Sequence, residues 1–352
     1  MPLAARPWLF AVVLGLLLLS PAHAGMTPDE VKAFEGYKAK AEKGDRVAQY
    51  NMGVSYSQGL GVAEDQVQSV SWYRKAAEQG NADAQFNLGV CYAQGLGVAK
   101  DFVKAVSWFR KAAEQGDRLA QTKLGYCYLK GEGVAKDAVQ AVSWFLKAAK
   151  RGCPTAQSNL GYCYLNGEGV AKDSVQAVSW YRKAVEQGVA FAQQGLGCCY
   201  LNGEGVAKDA VQAVSWFLKA AEQGDAAAQT NLGLCYVKGE GVAKDAVQAV
   251  SWFRKAAEQG VASAQTSMGY CYVKGEGVAK DEIEAYAYWN LAGITDEDAR
   301  HNLAILEKNM SSDARLLGQQ RTKQLQKEIE GRLETLDDLR KAVERESLRK
   351  GA

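Results

Sequence analysis

Residues 81–116 read NADAQFNLGVCYAQGLGVAKDFVKAVSWFRKAAEQG, and the same 36-residue step carries Trp72, Trp108, Trp144, Trp180, Trp216 and Trp252. Gly53, Gly89, Gly125, Gly161, Gly197, Gly233 and Gly269 keep that step, as do tyrosines from Tyr56 through Tyr92 to Tyr272. Seven units fit between Asp45 and Asp296. A fixed period of this length marks a repeat array, in which each unit buries its apolar face only against its neighbours.

Within residues 81–116 the apolar spacing predicts two helices. Ala84, Leu88, Cys91 and Tyr92 share one face at 3.6-residue periodicity. Gly95 is placed to end that helix in the left-handed conformation, and Gly97 keeps the following loop tight. Asp101 N-caps the second helix, and Asp137 with Gln140 or Asp245 with Gln248 approximates a capping box in later copies. The second helix is expected to bury Ala105, Trp108, Phe109 and Ala112, with Gly116 closing it. The indoles are expected to fill the space between pairs, so that truncating Trp144 costs about 3–5 kcal/mol. Asp117 and Asp225 open their units as N-caps, whereas Cys153, Val189 and Val261 occupy that site and cap poorly.

The totals fit this picture. A chain of 352 residues with 47% hydrophobic and 23% charged side chains has the composition of a folded protein. Its net charge of +2 reads as spread along the chain, against the clustered basic face that nucleic-acid binding needs. Residues 1–24 have the form of a secretory signal: Arg6, a 12-residue apolar run from Trp8 to Leu19, then Ala22-His23-Ala24. The run is short of the roughly 20 residues of a spanning helix, so cleavage is expected, leaving Gly25 first. No later segment is apolar enough to span a bilayer, and a periplasmic or secreted location follows. The remaining divisions are a half-repeat cap at 25–44, seven repeats at 45–296, a cap at 297–320 and a charged helical tail at 321–352.

In the third unit the recurring positions are Ala120, Leu124, Gly125, Tyr128, Gly131, Gly133, Val134, Asp137, Ala141, Trp144, Lys147, Ala148, Ala149 and Gly152. This pattern resembles the Sel1-like repeat family. The 36-residue step and the G-x-G-V loop separate it from tetratricopeptide repeats, to which the family is related. The resemblance implies an all-α, right-handed α/α superhelical solenoid that acts as an adaptor for other proteins, and in bacteria an exported one. Residues 284–320 look like the terminal cap of bacterial members.

Catalytic chemistry has little to work with. The signal removes His23, leaving His301, so neither an HExxH zinc site nor more than one histidine-dependent dyad can be assembled. Cys91, Cys127, Cys163, Cys199, Cys235 and Cys271 share one repeat position. Equivalent helices pack about 9–10 Å apart, beyond the roughly 7 Å between Cα atoms that a disulfide allows. They read as small buried apolar residues. Cys153 reads as a substitution at a loop, and the neighbours Cys198 and Cys199 point too far apart on a helix to bridge. No cofactor motif is present: the loop GEGVAKD follows a helix and lacks the GK[ST] ending of a phosphate cradle. Cysteine-rich members of the family have been proposed to act like β-lactamases, which leaves an exported β-lactamase-like or cell-wall-directed hydrolase as the alternative function. Their paired cysteines are not found here.

Partner-binding residues are sought where copies differ. On the first helices two adjacent sites vary, among them Phe86 and Lys123, and a third carries Tyr126, Tyr162 and Tyr270 where other copies have valine, leucine or cysteine. First helices line the concave side in helix-pair solenoids, so these five residues are the candidate contacts for a partner protein or peptide. In the tail, Leu325, Ile329, Leu333, Leu336 and Val343 follow helical spacing, with Asp337–Lys341 and Glu346–Lys350 as i,i+4 pairs. That helix has three arrangements open to it: folding back on the last repeat, pairing with another copy, or standing in solvent.

Overall fold

The computed structural model describes residues 26–350, with side chains through 335. The leader reading of residues 1–24 lies outside the described residues, as do the side chains of Leu336, Val343 and both tail ion pairs. Among the described residues all regular structure is helical, in 17 helices. A capping helix α1 (Pro28–Ala41) precedes α2 (Arg46–Gln58) and α3 (Gln66–Glu78), which form the first repeat. The pairs α4 (Ala82–Gln94) and α5 (Phe102–Glu114), α6 (Arg118–Lys130) and α7 (Ala138–Lys150), and α8 (Pro154–Asn166) and α9 (Ser174–Val185) follow. Next come α10 (Ala190–Asn202) and α11 (Ala210–Glu222), α12 (Ala226–Lys238) and α13 (Ala246–Ala257), and α14 (Ala262–Lys274) and α15 (Glu282–Ala292). Helices α16 (Glu297–Asn309) and α17 (Ser312–Lys350) end the chain. Contacts divide it into two compact units, one ending at Ala156 and one starting at Gln157.

The local signals place the helix ends where the chain puts them. Asp101, Asp117, Asp137 and Asp225 each accept a backbone N–H three residues on, while Val189 and Val261 make no side-chain cap. Gly95 ends α4 with φ +77°, and the N–H of Asp101 returns to Tyr92 O at 2.8 Å, closing the loop. The second loop glycine is constrained twice. Gly133 has φ +69°, and a Cβ there would sit on the carbonyl of Phe102, at the start of the preceding repeat's second helix. Gly97 meets Gln66, Gly205 meets Ser174 and Gly241 meets Ala210 in the same way. Each of these loops therefore rests on the helix before it. Helix α1 supplies that support for the first repeat, where Gly61 meets Glu30 and Phe34 packs edge-on to Tyr56 at 5.6 Å.

The interior ring of each second helix is the residue after the tryptophan. Tyr73, Phe109, Phe145, Tyr181, Phe217 and Phe253 are all at most 4% exposed. Each lies on the helical glycine of its partner helix, as Phe145 does on Gly125. The indoles are half-buried, which corrects the expectation that Trp108 or Trp144 is core. They edge the seams between repeats, Trp144 beside the cluster of Leu88, Phe109 and Leu124 and Trp252 beside that of Phe217 and Leu232. A lysine one turn on covers the ring, at 3.7 Å for Lys147 over Trp144 and 4.0 Å for Lys111 over Trp108. The helix geometry explains the difference: adjacent residues point about 100° apart, so one ring faces inward and the other skirts the edge. In the last repeat Trp289 takes the interior place and donates Nε1 to Thr266 O at 3.0 Å.

Of the three arrangements open to the tail, docking on the last repeat is the one seen over Gly318–Arg332. Leu325 and Ile329 are buried with Tyr288 and Phe253. Arg321 pairs with Glu284 at 2.6 Å and with Glu328 at 3.0 Å, and Arg332 pairs with Glu258. Helix α17 starts at Ser312, so the expected boundary between 320 and 321 falls inside one continuous helix.

Candidate interaction surface

The candidate contacts fall on the outward sides of first helices, in both units. In the unit ending at Ala156, Leu119, Lys123, Tyr126 and Lys130 follow one another on one face of α6, and all but the lysines are apolar over most of their surface. Leu119 is 55% and Tyr126 42% exposed. Lys130 Nζ lies 5.9 Å from the Tyr126 ring centre. Phe86, on α4, is half-buried and leans on Phe109 at 5.9 Å, so most of its ring serves packing. In the unit starting at Gln157, Tyr162 is half-buried, 6.3 Å from Phe191, with its hydroxyl on Glu168 at 3.3 Å. Tyr270 is 42% exposed, packs edge-on to Trp289 at 5.3 Å and accepts from Asn302 at 2.6 Å. The second helices turn outward a valine in repeat after repeat, such as Val103, Val139 and Val211, 66–68% exposed. That face barely changes between copies; the first-helix face does.

A glutamine relay beneath this face escaped the sequence reading. Gln85 donates Nε2 to Ala77 O of the previous repeat at 3.1 Å, while its Oε1 accepts from Gln115 at 2.7 Å. Gln49 with Gln79 and Gln229 with Gln259 repeat both bonds. The amide is needed because the end of each second helix leaves carbonyls that the next repeat covers. In the third repeat Arg151 stands where the second glutamine would. Gln121 still donates to Ala113 O at 3.0 Å, but its Oε1 is buried without a partner, and Arg151 donates to Gly116 O instead. The signal was available: an uncharged polar residue retained at an inward position in every copy asks for a hydrogen-bond reason.

All eight cysteines are free thiols. Burial pushes the thiols of Cys91, Cys127, Cys235 and Cys271 up to about 11, and those of Cys163 and Cys199 up to about 12. At neutral pH they are protonated and poor nucleophiles. Cys153 stands in the turn before α8, as its reading as a loop substitution expects, and is buried there, 3% exposed, with Sγ 3.4 Å from Thr122 Oγ1. Half-buried Cys198 accepts from Gln194 at 3.2 Å. His301 is exposed on α16. Among the described residues no group of three His, Cys, Asp or Glu side chains is placed to hold a metal ion, and no helix is long and apolar enough to cross a membrane. A cavity of about 280 Å³ beside the docked tail is lined by three arginines and three glutamates together with Tyr272 and Tyr288.

Repeated helix pairs, each with one interior ring on one supporting glycine, define an all-α repeat protein of the Sel1/tetratricopeptide-like kind. The chain belongs to the Sel1 repeat family, whose model matches residues 46–81, 82–117, 118–153, 154–189, 190–225, 226–261 and 262–293. It is similar to a Sel1 repeat protein from Oxalobacter formigenes, 34% identical, covering 78% of this chain and 80% of that one, with a TM-score of 0.62. It is also similar to a protective antigen of uropathogenic Escherichia coli strains displaying an SLR fold, 32% identical, covering 87% of this chain and 82% of that one, with a TM-score of 0.48. No curated protein matches the chain.

Proposed function

We propose that this protein is a non-enzymatic scaffold that works outside the cytoplasm, holding a partner protein or peptide against the outward face of its first helices. The observation that carries this reading is the contrast within each pair. The interior rings and glycines hardly vary, while the outward first-helix positions change from copy to copy and expose tyrosine at Tyr126 and Tyr270. Exposed aromatic rings on a rigid scaffold are the usual anchors of protein recognition. The export part of the proposal rests on the form of residues 1–24 and is tested by N-terminal sequencing, with Gly25 as the expected first residue. The hydrolase alternative lacks a matching observation: the buried thiols are protonated, and the one histidine among the described residues, His301, is exposed on α16.

The binding face is tested by crosslinking and pull-down from cells making the protein. Tyr126→Ala with Tyr162→Ala should lose the captured partner, whereas Val103→Ser with Val211→Ser on the second helices should keep it. Equal capture by both variants would refute the assignment of the face.

A further inference from the structure

Charge is not evenly divided among the repeats, although the chain as a whole carries a net charge of only +2. The third repeat, residues 117–152, holds seven basic and three acidic side chains, a net charge of +4. The other six, counted in the same frame, range from −3 to +1. On the face of α6 the charge is ordered: Lys123 and Lys130 flank Tyr126, Leu119 lies one turn before Lys123, and Arg118 sits at the helix start. No other first helix carries lysine at both of those positions. Neither Lys123 nor Lys130 is ion-paired among the described residues, and both are exposed. Arg118 and Arg151 are held at the same end, Arg118 Nη1 donating to Arg151 O at 3.1 Å.

We infer that the α6 face, from Arg118 to Lys130, binds an acidic segment of a partner protein whose carboxylates alternate with apolar side chains. This deepens the scaffold reading and rests on it. The carboxylates meet Lys123 and Lys130; the apolar side chains cover Leu119 and Tyr126, which would gain nothing from a phosphate backbone. A nucleic acid asks instead for a continuous basic stripe, and the neighbouring α4 presents exposed Asp83 where α6 has Leu119 and half-buried Val90 where α6 has Tyr126. Complementary charge of this kind raises the association rate and fades with salt, since screening sets in over about 10 Å at 0.1 M ionic strength.

The test uses the full chain and a fluorescein-labelled peptide alternating glutamate with leucine, read by fluorescence anisotropy at low and at moderate salt. Binding should weaken with salt, and Lys123→Glu with Lys130→Glu should weaken it by about tenfold or more. Lys238→Glu with Lys274→Glu, on α12 and α14, should change it by less than about twofold. Circular dichroism confirms that each variant is folded. Failure of the peptide to bind, equal loss in both variants, or tighter binding of a single-stranded oligothymidylate at the same lysines would overturn the inference. Loss of the cellular partner in the tyrosine variant together with its retention by K123E/K130E would remove the acidic segment and leave the scaffold reading in place.

Discussion

The third and fifth repeats have the same second helix, AVQAVSWFLKAA at 138–149 and again at 210–221, set in different company. Phe145 and Phe217 are each fully buried, and each lies on the glycine of its first helix, Gly125 or Gly197. Around that shared core the repeats diverge. The third opens on a capping Asp117, shows Lys123 outward and closes on Arg151. The fifth opens on an uncapped Val189, has Gly195 packed beneath Tyr181 where the third has Lys123, and closes on Gln223. The fold thus depends on a few positions per copy, and what distinguishes one copy from another sits at the seams and on the first-helix face.

If the two cores are equivalent, Phe145→Ala and Phe217→Ala should destabilise alike, by about 3–5 kcal/mol in urea unfolding, and clearly unequal losses would break the comparison. Trp144→Ala, at a half-buried ring, should cost about 2 kcal/mol. Next in size is the loop. Gly133→Ala and Gly205→Ala should each lower stability by about 2 kcal/mol or more, because the residue is both left-handed and pressed on a carbonyl. The caps sharpen the contrast: Val189→Asp should stabilise by about 1 kcal/mol, and Asp117→Val should destabilise by a similar amount. Smallest is the relay, where Arg151→Gln should gain about 1 kcal/mol by giving Gln121 Oε1 a donor, and Gln223→Arg should lose as much. A Tm unchanged by Arg151→Gln would show that Gln121 has found another donor.

Much of this architecture is legible in the sequence, since period, glycine placement and capping residues act locally and each leaves a residue-level mark. Gly95, Asp101 and Asp137 end and begin helices where their chemistry predicts. What the pattern hides is direction. Trp108 and Phe109 are equally apolar and adjacent, and only the crossing of two helices decides that the phenyl enters the glycine seat while the indole stays at the edge under Lys111. Gln85 hides for a related reason: its partners, Ala77 O and Gln115, come from two helices that stacking brings together. On the surface, variation picked out Tyr126 and Tyr270 as exposed rings but also Phe86, whose ring leans on Phe109. The concentration of charge in residues 117–152 is written in the sequence and emerges only once charges are counted repeat by repeat.

The loop glycines that rest on the preceding helix, Gly133 on Phe102 and Gly205 on Ser174, also bear on how such a chain can change its length. Where seams are built from the same pair of elements, as at Gly97, Gly133, Gly205 and Gly241, an in-frame gain or loss of one whole period puts such a loop back on an equivalent helix. Slippage between near-identical copies of the gene would then pass through folding unnoticed, while a change of a few residues would set a loop against the wrong turn. The ancestry of the array is free to lengthen or shorten in steps, and the third repeat is the one whose loss such a lineage would notice by its charge.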